Sequence, residues 1–314
     1  MDDESTNGPI GILPFDLRDF YRYYSHNYFQ IRRNLLLEHL HDVDAYAKKF
    51  AHIEPIGLED LKSNLKLEIR GVYFQAIETL FELLFALEGQ NDEEIWKTLA
   101  NSGTSNYARI EAIASGDLSF LEKKIKVKSL NNVEAEIPLL SYLVYFRFAK
   151  IETDEESEIG LKVIHSFLIA IAKDFSDRID YNAYKHGLRL FPTIKKISIG
   201  GKTRTFDFDF ENSYTILKGK KDYDGDDDKA DANNENKNRF RVKTFDLERD
   251  LRMIEFCSEL ISNIILTRRS VYFPTNEKKF YYFHEINIDD FVASNVQVRN
   301  FNFATEKIYR VQNP

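Results

Sequence analysis

The sequence predicts a mainly α-helical protein: a helical bundle with small β-hairpin additions and a C-terminal α+β segment. Two patterns carry that prediction. Apolar residues recur at three- and four-residue steps through most of residues 1–192, and the period shortens to two only in brief stretches, most of them after residue 192. With 314 residues, 43% of them hydrophobic, the chain is long enough to bury one large core or two ordinary ones.

Taken in order, Asp16 follows Pro14 and Phe15 and is placed to cap a helix reaching about residue 50, crowded with Phe20, Tyr21, Tyr23, Tyr24, Tyr28 and Phe29. The clearest helix spans Leu58 to Leu87, where Leu61, Leu65, Ile69, Val72, Ala76, Leu80 and Leu83 share a face and Gly89 supplies a stop. Two short helices follow, Asp92 to Ala100 and Ser105 to Ala114, punctuated by Gly103 and Gly116. KKIKVK and VEAEI alternate around Asn131-Asn132 and predict a hairpin over Lys123–Ile137. Pro138 opens a helix to about Lys150, and the TDEE pattern from Thr153 opens a long one, Glu155 to about Leu190, stopped by Pro192. Beyond it, KKISI and TRTFDFDF flank Gly200-Gly201 as a hairpin, with SYTIL from Ser213 as a third strand.

Residues 220–238 hold almost no apolar side chain to offset the entropy of ordering, and are expected to be a disordered acidic loop. A helix over 247–267 and short aromatic strands at VYFP and FYYF complete the chain. The division is therefore a helical core over 1–192 and an α+β segment over 193–314. That segment is either separate or integrated with the core through its long helix.

Charge and cysteine content narrow the function. A net charge of −8 argues against a protein that coats polyanions, although loop 220–238 holds −3 of it (seven acids, four bases), so a local basic surface stays open. A single Cys257 allows no internal disulfide and no CxxC zinc site, which points to a reducing, cytoplasmic setting. The acidic start MDDESTNGP lacks the basic and apolar regions of a secretory signal. The longest apolar run, FLIAIA at Phe167–Ala172, is far short of the roughly 20 residues of a membrane span, so no membrane partner is expected.

Several chemical patterns fail on inspection. From Asp224 the acidic loop places Asp226, Asp228 and Glu235 at calcium-loop spacing, but Lys229 stands where the turn needs glycine and no flanking helices exist. Glu78 and Glu82 lie four apart on one helix without the Glu-x-x-His partners of a di-metal bundle. HExxH, P-loop, GxSxG and GxGxxG are absent, and no metal or cofactor is predicted. Alternation of Asp207 and Asp209 with Phe206, Phe208 and Phe210 reads as core, whereas Phe280–Phe283 lies near Arg268, Arg269, Lys278 and Lys279 and could stack bases.

Two helical segments combine histidine with arginine and amide. In YNAYKHGLR, Asn182 and His186 are four apart on one face, Arg189 follows three further on and Arg178 precedes them; an imidazole, an orienting amide and a guanidinium would suit a phosphodiester. The second set is Arg33, Asn34 and His39. The segment NAYKHG resembles the RNxxxHG motif of HEPN domains, with Asn182, His186 and Gly187 matching and Tyr181 standing where the motif has arginine. Arg33-Asn34 and His39 fit that family's looser spacing, and the likeness extends over the helical residues 16–192.

The resemblance implies either an interaction or regulatory module, as many noncatalytic HEPN members are, or a metal-independent ribonuclease. In the latter His186 is general acid/base, Asn182 orients it, and Arg178 or Arg189 binds phosphate. RNA, a protein partner and a homodimer are the associations it implies. Tyr181 weighs against catalysis, because a phenol stabilises phosphorane charge far less than a guanidinium does.

Overall fold

The computed structural model describes residues 18–50, 57–89, 95–101, 106–128, 134–146, 155–186, 189–192, 196–201, 204–209, 212–218, 237–273 and 280–304. It is mainly α. The helices are α1 (Asp19–Tyr23), α2 (Tyr28–His41), α3 (Val43–Phe50), α4 (Leu58–Leu87), α5 (Ile95–Ala100), α6 (Asn106–Ala114), α7 (Ser119–Glu122), α8 (Leu139–Tyr145), α9 (Glu155–Ser176), α10 (Arg178–His186), α11 (Leu247–Tyr272) and α12 (Ile288–Val292). The strands are β1 (Lys124–Lys128), β2 (Glu134–Pro138), β3 (Leu190–Phe191), β4 (Lys196–Gly201), β5 (Arg204–Asp209), β6 (Ser213–Lys218), β7 (Lys237–Thr244) and β8 (Val298–Ala304). β1–β2 and β4–β5 are two-stranded antiparallel hairpins, and β3-β6-β7-β8 is a four-stranded antiparallel sheet.

α4 has the bounds its periodicity predicts, and every residue of the predicted face except the exposed Leu58 is buried. The helix predicted to reach residue 50 is instead three. Tyr24 turns extended after α1, His26 Nδ1 lies 2.8 Å from Ser262 Oγ, and Asp42 both ends α2 and accepts from the Ala45 N–H, capping α3. The long helix after residue 155 also divides, at Asp177, whose carboxylate is drawn to the sheet by Arg241 and Lys243. Gly116, at φ 96°, ends α6: its N–H reaches Ile113 O and that of Asp117 reaches Ala112 O, the left-handed stop only glycine takes cheaply.

In the first hairpin, the β1–β2 register pairs Ile125 with Ile137 on the buried face and Lys126 with Glu136 on the exposed one, so alternation and charge agree. SYTIL does not extend the β4–β5 hairpin; as β6 it is the second strand of the larger sheet. Lys237 and Asn238, assigned to the acidic loop, open β7. Of VYFP, Val271 and Tyr272 end α11 instead of forming a strand and Phe273 is its extended C-cap, while Pro274 lies outside the described residues. FYYF forms no strand and is held by a side chain: Asn263 Nδ2 donates to Tyr281 O at 2.8 Å and Asn263 Oδ1 accepts from Tyr281 N at 3.0 Å. The Asp16 cap, the start of the TDEE pattern, the Asn131-Asn132 turn and loop residues 219–236 lie outside the described residues.

The main apolar core joins α4, α8, α9 and α11, with Phe256 stacked 3.8 Å from Phe167 and 4.6 Å from Phe283. A smaller core seats α10 on the sheet through Ile179, Ala183, Tyr214 and Ile216. Between the two runs a chain of charges, buried at Asp180, Arg241, Lys243, Arg249 and Asp250 and open to solvent at Asp177. Arg70 of α4 donates to Asp250 of α11 at 2.5 Å and lies 3.9 Å from Asp180 of α10. Asp180 accepts from Tyr214 at 2.8 Å and from Lys243 at 2.9 Å. Lys243 also reaches Asp177 at 2.7 Å, and Arg241 reaches it at 3.1 Å. Asp174 of α9 accepts from Tyr73 at 2.5 Å and pairs with Arg249 at 2.7 Å.

Four cations thus face four carboxylates, which keeps the buried set neutral. Burial works to lower Arg70's pKa, but Asp250, Tyr214 and Asp180 carry it well above its usual value. Burial raises Asp177's, yet Lys243 and Arg241 bring the carboxyl below its usual range.

Arg70→Ala leaves Asp250 buried without its cation and removes one from beside Asp180, and should cost about 3–5 kcal/mol in denaturant unfolding. Arg70→Met with Asp250→Leu should recover most of that loss, because it removes the charges together.

Candidate functional site

α10 carries the first predicted set, and the structure divides its members. Asn182 is half-buried on the helix, while the side chains of Arg178 and His186 lie outside the described residues. α10 ends at His186, so Arg189 does not continue the face of Asn182 and His186 as predicted. It sits before β3, where its Nε donates to Leu217 O at 3.1 Å and its carbonyl accepts from Leu217 N at 2.9 Å. The helical count fails because α10 ends at His186 and Leu190 and Phe191 pair with β6.

Tyr181, at the position of the motif's arginine, donates its hydroxyl to Glu78 Oε2, and Lys185 reaches the other oxygen of that carboxylate at 3.1 Å. Burial, then the Glu78 hydrogen bond, raises the Tyr181 pKa, so it stays a neutral donor. One turn on, Tyr184 donates to Glu68 at 3.3 Å; burial and Glu68 push its pKa up to about 12. Gly71 lets this happen, since a Cβ there would run into the Tyr184 ring. The side of α10 that meets α4 is therefore bordered by Glu68, Glu78 and Glu82, whose charges also raise the two phenols. Of these the sequence singled out Glu78 and Glu82. Glu68 and Tyr184 were missed, and the spacing of Glu68, Gln75, Glu78 and Glu82 along one side of α4 was the available signal.

The second set does not assemble either. Arg33 spends Nε on Leu251 O at 3.0 Å, Nη2 on Glu255 at 3.0 Å and Nη1 on Asn34 Oδ1 at 2.9 Å, fastening α2 to α11. His39 stacks on Tyr46 with ring centres 4.0 Å apart. The two side chains serve different contacts, which is what six positions along a helix, or about 600° of turn, would favour.

Cys257 is fully buried, and burial pushes its thiol pKa far up, so it packs as a small apolar residue. Among the described residues no group of three or more His, Cys, Asp or Glu could hold a metal ion; the Asp224–Glu235 stretch lies outside them. Phe283 is buried against Phe256 and Phe280 packs on Tyr145, so FYYF contributes chiefly to the core; only Tyr282 of the four is exposed. No described helix is long and apolar enough to cross a membrane. No family model, curated protein or solved structure matches the chain.

The α2–α11 seam has one titratable group out of balance. Glu255 and Glu259 stand one turn apart on α11, and Arg33 is bonded to Glu255. Burial and then Glu255 raise Glu259 from 4.5 to about 7, against a smaller opposing pull from Arg33. A carboxyl whose folded pKa lies above its unfolded one favours the folded state when protonated. Its contribution is complete below about pH 4.5, is lost as pH climbs towards 7, and is level above that. Urea unfolding of Glu259→Gln should therefore gain on the wild type as pH rises from 5 to about 7.5. Equal pH profiles would remove Glu259 as the source.

Proposed function

We propose that the chain is a HEPN-like helical-bundle protein that acts as a cytoplasmic interaction or regulatory module and not as a nuclease. The observation that carries this reading is the Tyr181–Glu78 bond. Where phosphate chemistry needs a guanidinium there is a phenol held by a carboxylate, with Glu68 and Glu82 beside it. Arg33 is likewise committed to Glu255 and Leu251.

An exposed apolar stripe supports the interaction half of the proposal. On α2, Tyr28, Ile31 and Leu35 are 46%, 53% and 49% exposed while Phe29 on the other side is buried, so the helix is apolar beyond what its packing uses. The alternative, a metal-independent ribonuclease, draws on Asn182 and His186 lying one turn apart on α10. In it His186 is the acid/base, Asn182 orients it, and Arg178 or Arg189 binds phosphate.

An RNA-cleavage assay in EDTA, run on wild type and His186→Ala, separates the two. Neither protein should cleave above buffer. Cleavage by the wild type that disappears in His186→Ala would overturn the proposal. If the α2 stripe serves a partner, Ile31→Asp with Leu35→Asp should shift stability by no more than about 1 kcal/mol, as surface changes do. A loss of several kcal/mol would mean the stripe belongs to the fold.

A further inference from the structure

β8 lies at one end of the sheet order β3-β6-β7-β8, and among the described residues no strand pairs with its outer side. The register shows which backbone groups that side presents. The Thr244 N–H donates to Gln297 O at 3.1 Å, so in steps of two the pairs Val242–Arg299, Phe240–Phe301 and Asn238–Phe303 exchange the bonds between β7 and β8. The count agrees across β7, where the Phe245 N–H donates to Asn212 O and makes Tyr214–Lys243 and Ile216–Arg241 the bonded pairs with β6. The backbone N–H and C=O of Val298, Asn300, Asn302 and Ala304 therefore point away from β7.

Natural sheets blunt their edges, and the two ends of this one differ. β3 has two residues and is followed by Pro192. β8 runs for seven residues, VRNFNFA, with neither proline nor lysine, and Val298, Arg299 and Asn300 are exposed. It keeps one register with β7 throughout, without a bulge to turn the edge away. Such an edge is a template for another strand.

We infer that the outer edge of β8 pairs antiparallel with β8 of a second copy of the chain, about a two-fold axis at Phe301. The strand's own sequence selects that occupant. It reads Asn-Phe-Asn about Phe301, and the outward backbone groups fall symmetrically on either side of that residue. Pairing there sets Asn300 opposite Asn302, Val298 opposite Ala304, and Arg299, the one charge in the strand, opposite Phe303, so no two like charges meet. Every outward N–H and C=O of the four residues then has a partner. The contact is also closed: the joined sheet ends in β3 on both sides, and no long edge remains to add a third copy. An unrelated extended peptide would use the same backbone groups but has no need of symmetry about residue 301. The inference goes beyond the module reading and stands on the sheet alone.

Sedimentation velocity of the full-length protein over about 1–200 µM, the range suited to an interface below standard size, should show monomer passing to dimer and nothing larger. Val298→Pro removes an outward N–H and leaves the β7 ladder intact, and should weaken the dimer at least about 10-fold. Asn300→Lys with Asn302→Lys sets like charges opposite each other at two symmetric places, and should weaken it at least about 10-fold as well. Asn300→Lys with Asn302→Glu sets opposite charges there and should restore the dimer. Both double variants lose the bond from Arg241 Nε to Asn300 Oδ1, so a folding defect from that loss would appear equally in their circular-dichroism melts, and only the pairing separates them. Ile31→Asp with Leu35→Asp on α2 should leave the dimer unchanged.

A monomer at every concentration, a dimer indifferent to Val298→Pro and to the sign of charge at position 302, or a dimer lost only with the α2 substitutions would each overturn the inference.

Discussion

The Arg70–Asp250 pair and the charges around it set how the sheet meets the helices. Arg70 lies near the middle of α4, Asp250 in the first turn of α11, Asp180 in the first turn of α10, and Lys243 in β7. Such a chain gives little net stability compared with apolar side chains of the same volume, because each ion must first leave water. What it gives is register. An apolar contact tolerates sliding, whereas Lys243, bound to Asp177 and Asp180 together, fixes which residue of β7 faces the α9–α10 junction.

That constraint reaches the local structure. α9 and α10 would run on as one helix by their apolar pattern, yet Asp177 breaks them where its carboxylate meets Arg241 and Lys243. α10 is then free to lie against both α4 and β6, placing Tyr181 in the main core and Ile179 and Ala183 in the smaller one. After α10, Arg189 and β3 pair with β6.

The parts of this architecture that could be read in the sequence depended on local signals. α4 was legible because thirty residues of unbroken period have few alternatives, and the two hairpins because of their alternation, although Gly200 and Gly201, read as the second turn, pair within the ladder with Thr205 and Arg204. β7 and β8 were not. In KNRFRVKT every second residue is a cation, which reads as a solvated strand or a loop end until acids from residues 177 and 180 are known to lie over it. The breaks at Tyr24 and Asp177 were hidden for the same reason, since partners in α11 and β7 decide them and local propensity does not.

The site posed the same difficulty in sharper form. Matching Asn182 and His186 by spacing assumes that a helix continues to Arg189, and spacing says nothing of what lies across from it. The neighbours of α10 are the acids of α4 on one side and, at its start, Tyr214 of β6 and Lys243 of β7, both bound to Asp180. The Tyr181–Tyr184 side of α10 is therefore lined by carboxylates, which repel a phosphate. What the spacing of Asn182 and His186 could not show is this charge distribution, set by Glu68 and Glu78 of α4 on one side of α10 and by Lys243 of β7, bound to Asp180, at its start.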